Sequence, residues 1–323
     1  MKELYLEILI DQFILTKKSS KMIKFLFIIL MISSFATNVI HAQYEASDIY
    51  QDKYLLSNNI RIHYLRAENP GKPVIIFSHG HSDCAICWLG LTNELTKDFD
   101  IIIYDARGHG LSDAPEAGYS NEDRGKDLLG LIKVLNIKNP ILMGHSMGAG
   151  TTAWFAANYP NIPKAIVLED PWIGDPDKFK EQITKQPMSP ELKESLKQKR
   201  EEALERNNMT LPDLAQFCID KAHKGWLISD CQQWAVAKKY YHLNNIQNGG
   251  IIPDLDLLFS KITCPVLILK AACDEELKNK NISFANKINN VQIFHIEGAG
   301  HNVRRDKKDE TLKVFNEWLK DYR

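Results

Sequence analysis

The sequence predicts an α/β fold: a mostly parallel sheet of the eight-stranded type flanked by helices, with an all-helical insert ahead of the last two strands. Three observations predict it. Short runs such as Val74–Ser78, Ile101–Asp105 and Ile141–His145 are almost wholly apolar and β-branched, as strands buried on both faces are. Helical periods lie between them. From Trp172 to about Gly250 the strand-like runs stop, and charged, helix-forming sequence such as Glu191–Arg206 replaces them.

The 323 residues suffice for one sizeable core with an inserted subdomain. Apolar residues make up 44% and charged residues 25%, as in ordinary globular proteins. Lys and Arg number 40 against 41 Asp and Glu, so no charge excess calls for nucleic acid or an anionic membrane. The expected partner is a small-molecule substrate.

The N-terminus reads as a leader. Lys17, Lys18, Lys21 and Lys24 precede the apolar run Phe25–Ile32, and Ala42 offers a small residue for a signal peptidase. A run of eight is short for a bilayer span. The expectation is a signal peptide over 1–42, with Met22 as an alternative start, export to the periplasm or beyond, and no stable membrane insertion after cleavage. An uncleaved anchor is the competing reading.

The remaining elements follow in order. Ile60–Leu65 alternates and reads as an early antiparallel strand. A helix is expected over Ile86–Lys97 between the strands Val74–Ser78 and Ile101–Asp105. Ser120-Asn-Glu-Asp123 opens another as a capping box, with Leu128, Leu131, Ile132 and Leu135 on one face. Strand Ile141–His145, helix Met147–Asn158 and strand Lys164–Glu169 complete a first core part, 43–171. The insert over 172–250, roughly eighty residues, is long for a loop and suits a lid. The second core part, 251–323, holds strands Pro265–Lys270 and Val291–Ile296 and a final helix, Asp306–Leu319.

Of six cysteines, Cys218 and Cys231 are candidates for a bridge within the insert. Cys84 and Cys87 form a C-x-x-C without thioredoxin-like surroundings. Cys264 and Cys273 flank one short strand, too far apart to bond. Free buried thiols are the competing expectation.

Two chemistries compete in Phe77-Ser-His79-Gly80-His81-Ser-Asp83-Cys84. As H-x-H-x-D, His79, His81 and Asp83 are a zinc-hydrolase ligand string. As His-Gly-x after a strand, the same residues form a turn that offers a backbone amide to an oxyanion. The stretch Ile141-Leu-Met-Gly144-His145-Ser146-Met147-Gly148 weighs for the second. It reads strand, G-x-S-x-G, helix. A serine hydroxyl needs fixed geometry and a proton acceptor to become a nucleophile. A tight turn lifts Ser146 clear of the sheet, small Gly144 and Gly148 relieve the crowding, and the Met147 amide faces a developing oxyanion.

His301 is the candidate base, on the glycine-rich loop Glu297-Gly-Ala-Gly-His301 just past a strand. Asp274, five residues after the strand Val266–Leu269, is the preferred orienting acid. Glu169, with Asp170 beside it at the end of an earlier strand, is the alternative.

From about Tyr50 onward the chain resembles the α/β-hydrolase superfamily in its cap-bearing branch. The matching stretches are His79-Gly80, Asp105-Ala-Arg-Gly-His-Gly-Leu-Ser112, Gly144–Gly148, Cys273-Asp274 and Gly298–His301. The resemblance implies Ser146 as nucleophile, His301 as base then acid, Asp274 or Glu169 as the orienting acid, and an oxyanion hole at the amides of His81 and Met147. No cofactor or metal is expected. The implied activity is hydrolysis of a small carboxylic ester or lactone through an acyl-enzyme. C–C hydrolase, aminopeptidase and cofactor-free peroxidase chemistry on the same fold are alternatives, as is a non-catalytic binding protein.

Overall fold

The structure is a computed structural model that describes residues 48–173, 190–247 and 258–323. The expected leader and parts of the insert lie outside the described residues. Eight strands form one sheet: β1 (Gln51–Ser57), β2 (Ile60–Ala67), β3 (Val74–Ser78), β4 (Asp100–Tyr104), β5 (Ile141–His145), β6 (Ala165–Glu169), β7 (Val266–Lys270) and β8 (Val291–His295). Their order is β1-β2-β4-β3-β5-β6-β7-β8. β2 runs antiparallel to both β1 and β4, and every later pairing is parallel. The central strands are apolar because helices cover both faces, and Ile75, Ile76, Phe77 and Ile101–Ile103 are fully buried.

The sheet order reverses at β3, which pairs with β4 on one side and β5 on the other. Ligand crevices of open α/β sheets form at such points, outside the carboxyl ends of the strands. Register brings those ends together: Ser78 pairs with Gly144, His145 with Glu169, Glu169 with Leu269, and Lys270 with His295. One row of strand ends therefore leads from the His79 turn to the His301 loop.

Helix α1 (Asn121–Val134) carries the expected capping box, Ser120 and Asp123 bonding each other's backbone amides. Helix α2 (Met147–Asn158) follows β5 after the single residue Ser146. Between β6 and β7 the described residues contain only helices: α3 (Pro190–Asn208), α4 (Leu211–Phe217), α5 (Ile228–Lys239) and the turn Asn244–Gln247. α4 and α5 share a small core of Leu214, Trp234 and Ala235, closed by a Cys218–Cys231 disulfide. Cys84, Cys87, Cys264 and Cys273 are free thiols. Helix α6 (Glu275–Ala285) lies between β7 and β8 in sequence, and α7 (Lys308–Leu319) follows β8.

Three elements differ from expectation. β1 was not anticipated, because an edge strand with one face in solvent needs few apolar residues, and four of its seven are exposed. The helix expected over Ile86–Lys97 is a pair of helical turns, Ala85–Trp88 and Leu89–Thr92. Gly90, Thr92, Asn93 and Thr96 are poor helix formers, and the chain turns there to enter β4. The final helix breaks at Lys307, whose φ of −142° separates Val303–Asp306 from α7.

Candidate active site

Ser146 is the single residue between β5 and α2. Its backbone sits at φ 50°, ψ −110°, a strained conformation for a residue with a side chain. Neighbouring strands hold it there: Ser146 N–H donates to Glu169 O at 3.0 Å, and Ser146 O accepts from Gly150 N–H at 3.0 Å. The turn closes only on glycines. A Cβ at Gly148 would stand 2.1 Å from Ser78 O, and one at Gly144 would stand 2.2 Å from Gly148 O.

The His79 turn packs against this elbow. A Cβ at Gly80 would lie 2.5 Å from His145 Nδ1 and 3.5 Å from Ser146 Cβ, so only glycine permits the approach. The Gly80–His81 peptide thus adjoins Ser146, as does Met147 at the head of α2. Ser82 sits at φ 59°, and its carbonyl and hydroxyl accept from Lys238 Nζ of α5 at 2.8 and 2.5 Å. Burial brings the Lys238 ammonium down to about 8.

The three side chains of the H-x-H-x-D string take three separate jobs. His79 Nδ1 donates to Gly80 O at 2.8 Å, and its Nε2 accepts from Ala106 N–H at 3.0 Å, so both ring nitrogens are committed to backbone. His81 Nε2 meets Tyr241 Oη at 2.8 Å. Burial would raise the Asp83 carboxyl, but Arg305 and Arg304 outweigh it and hold it far below the usual carboxylate range. Among the described residues, no group of three or more His, Cys, Asp or Glu is arranged to hold a metal. The zinc reading is corrected on these contacts.

His301 stands on the loop after β8. Its Nδ1 is bonded to Asp170 Oδ2 at 2.6 Å, and its ring lies 4.8 Å from that of His145. His145 Nε2 donates to His301 O at 2.9 Å, so the residue before Ser146 also tethers the His301 loop. The hydrogen bond to Asp170 raises the His301 imidazole above its ordinary range, against the opposing effect of burial. Burial would raise Asp170, but the bond from His301 and the Lys270 ammonium, 2.6 Å from Oδ1, bring it down to about 2.

The partner of His301 is therefore neither acid expected from sequence. Asp274 is exposed and caps α6, accepting from Leu277 N–H at 2.8 Å, the usual work of a short acid at free helix donors. Glu169 is fully buried and accepts from Arg304 N–H at 2.9 Å and the Arg304 guanidinium at 2.8 Å. As the last residue of β6 it is committed to Arg304 and does not reach His301. Asp170, one residue on, has left the strand with φ 39° and turns upward. Sequence reasoning also missed Lys270, at the matching end of the neighbouring strand; acid and base at adjacent parallel strand ends were the available signal.

Comparisons with known proteins place the fold. The α/β hydrolase fold family model matches residues 73–304. The chain is 27% identical over 282 residues to 2-(acetamidomethylene)succinate hydrolase of Mesorhizobium japonicum, a match covering 85% of this chain and 98% of that protein. It is 24% identical over 270 residues to N-formylmaleamate deformylase of Pseudomonas putida, covering 81% and 94%. A solved structure of a thermophilic esterase from Thermogutta terrifontis superposes with a TM-score of 0.62 at 22% identity, over 84% of this chain and 98% of that one, a likeness of fold alone. Sheet order, the strained strand-to-helix turn at Ser146 and the family match agree, and the chain belongs to the α/β-hydrolase fold family.

Proposed function

We propose that the protein is a serine hydrolase that cleaves a small carboxylic ester or lactone through an acyl-enzyme. One observation carries the reading: the strained Ser146 turn directly follows His145, whose ring lies 4.8 Å from a His301 ring whose Nδ1 is fixed by Asp170 at 2.6 Å. That bond keeps the proton on Nδ1 and leaves Nε2 as the acceptor.

Ser146 Oγ attacks the substrate carbonyl as His301 Nε2 takes its proton. The tetrahedral oxyanion is met by the amides of His81 and Met147. His301 returns the proton to the leaving group, then activates water to release the acid and restore Ser146. Asp170 stays ionised throughout and stabilises the imidazolium. The described helices of the insert, α3, α4 and α5, act as the roof that selects the substrate. The two curated relatives are named for acidic amide-type compounds, which the same steps accommodate.

A fluorophosphonate probe tests this. Labelling of the wild type that disappears in Ser146→Ala supports the enzyme, whereas folded wild-type protein that never labels supports a binding role instead. The charged and apolar N-terminal run supports export with cleavage after Ala42. Sequencing the N-terminus of protein from the periplasm or medium tests that: a chain starting at Gln43 is expected, and a cytosolic full-length chain would refute it.

A further inference from the structure

We propose that the cleft between the His81–Ser82 loop and the helical insert binds a carboxylate carried by the substrate, so that the preferred ester is an acidic one. This rests on the serine-hydrolase reading above and names its substrate class.

The cleft has a volume of about 260 Å³ and is lined by Lys199, Arg206, Lys238, Tyr241, His81 and Ser82, among others. Its roof is one face of α3. Leu196, Lys199, Ala203 and Arg206 recur at intervals of three and four, so they share that face. A helix of an insert ordinarily turns its apolar stripe inward and its charges to water. Here the stripe that lines the cleft carries two cations, Lys199 exposed and Arg206 half-buried.

The charge in the cleft does not balance. Among the described residues, the lining sets one carboxylate, Glu202, already paired with Arg206 at 2.8 Å, against Lys199, Arg206 and Lys238. Lys238 is enclosed and makes its two hydrogen bonds to neutral acceptors of Ser82. Asp83, the largest opposing charge felt by Lys238, is itself engaged with Arg304 and Arg305. Burial first, and then Lys238, Arg124 and Lys199, bring the His81 imidazole down to about 4, so its ring adds a neutral edge. An enclosed ammonium such as Lys238 is costly without a matching anion, and a ligand carboxylate offsets that cost, with the more exposed Lys199 and Arg206 adding to its attraction.

The position suits a substrate. The loop that lines the cleft at Ser82 touches Ser146 at Gly80, two residues away and so at most about 7 Å along the chain. A carboxylate held in the cleft and a carbonyl at Ser146 then belong to one short molecule, such as the half-ester of a five-carbon diacid. A cavity of this size admits little more.

Monoethyl glutarate and its neutral isostere ethyl glutaramate form the test pair. The wild type should favour the acid by about tenfold or more in kcat/KM, the worth of one charge-assisted hydrogen bond. Lys199→Glu, at an exposed position on the cleft-lining face of α3, should collapse that ratio toward one through KM, and Arg206→Gln should do the same. Calorimetry with glutarate on Ser146→Ala gives a readout independent of turnover: binding that Lys199→Glu abolishes is expected. Equal or reversed preference, or glutarate binding unaffected by either substitution, overturns the proposal. Cleavage of the neutral ester in that case leaves the serine-hydrolase reading standing, while failure to label with fluorophosphonate sinks that reading and leaves the calorimetric result to decide this one.

Discussion

His301 Nδ1 and Asp170 Oδ2 meet at 2.6 Å across 131 residues of chain, and Lys270 Nζ holds the other carboxylate oxygen from 2.6 Å. The acid is thus shared between an imidazole it orients and an ammonium that orients it. The backbone amide of Ala271 adds a third contact at 3.2 Å. A carboxylate held by three donors has one available pose, and so does the ring bonded to it.

Asp170→Asn should lower kcat by about 10³- to 10⁴-fold, because the amide favours the wrong imidazole tautomer. Asp274→Ala should leave kcat within about twofold and cost about 1 kcal/mol as a lost helix cap. Steady-state kinetics and thermal unfolding of the two variants decide the matter; the reverse pattern would return the role to Asp274.

The pH profile follows from the charges around His301. The base works only when neutral, and the Asp170 bond raises its pKa from the ordinary 6.5, so the acid limb of kcat/KM should lie above that value. Lys270 opposes the rise. Lys270→Met should therefore move the limb to higher pH, and Asp170→Asn should move it to lower pH. A limb that ignores both substitutions would show that His301 is not the titrating base.

Gly80→Ala places a methyl 2.5 Å from His145 Nδ1 and against Ser146. The His79 turn must retreat, taking the His81 amide with it. A loss of kcat of about 10²-fold is expected, the worth of one oxyanion donor, with circular dichroism unchanged. Full activity in this variant would exclude the turn from the chemistry.

Reducing the Cys218–Cys231 bond opens a loop of thirteen residues in sequence separation. The cost is about 3 kcal/mol by loop entropy. Because the bond closes the small core of α4 and α5, this part of the insert should loosen first. Hydrogen exchange with and without reductant should show faster exchange in 211–239 while β3, β5 and β6 stay protected. Uniform change across the chain would contradict that order.

Much of the core was legible because its signals are local. An apolar β-branched run, two glycines flanking a serine and a capping box each act within a few residues, and β3, β5, α1 and α2 formed as their sequences indicate. The same locality misled at Asp274. Its position five residues past a strand suits an orienting acid, yet four free amides at the head of α6 compete for the same side chain and win. The H-x-H-x-D string failed as a ligand set for a related reason. Spacing along a chain does not say where side chains turn, and Arg304 and Arg305 come from 221 and 222 residues away to claim Asp83.

The sequence by itself determined the sheet, the serine turn and the histidine loop, since each rests on residues adjacent in the chain. Tertiary structure alone decided which acid meets His301. Strands β6 and β7 lie side by side, so their ends offer Glu169, Asp170 and Asp274, and the difference of a single residue at the end of β6 gives one carboxylate to the buried Arg304 and the next to the imidazole.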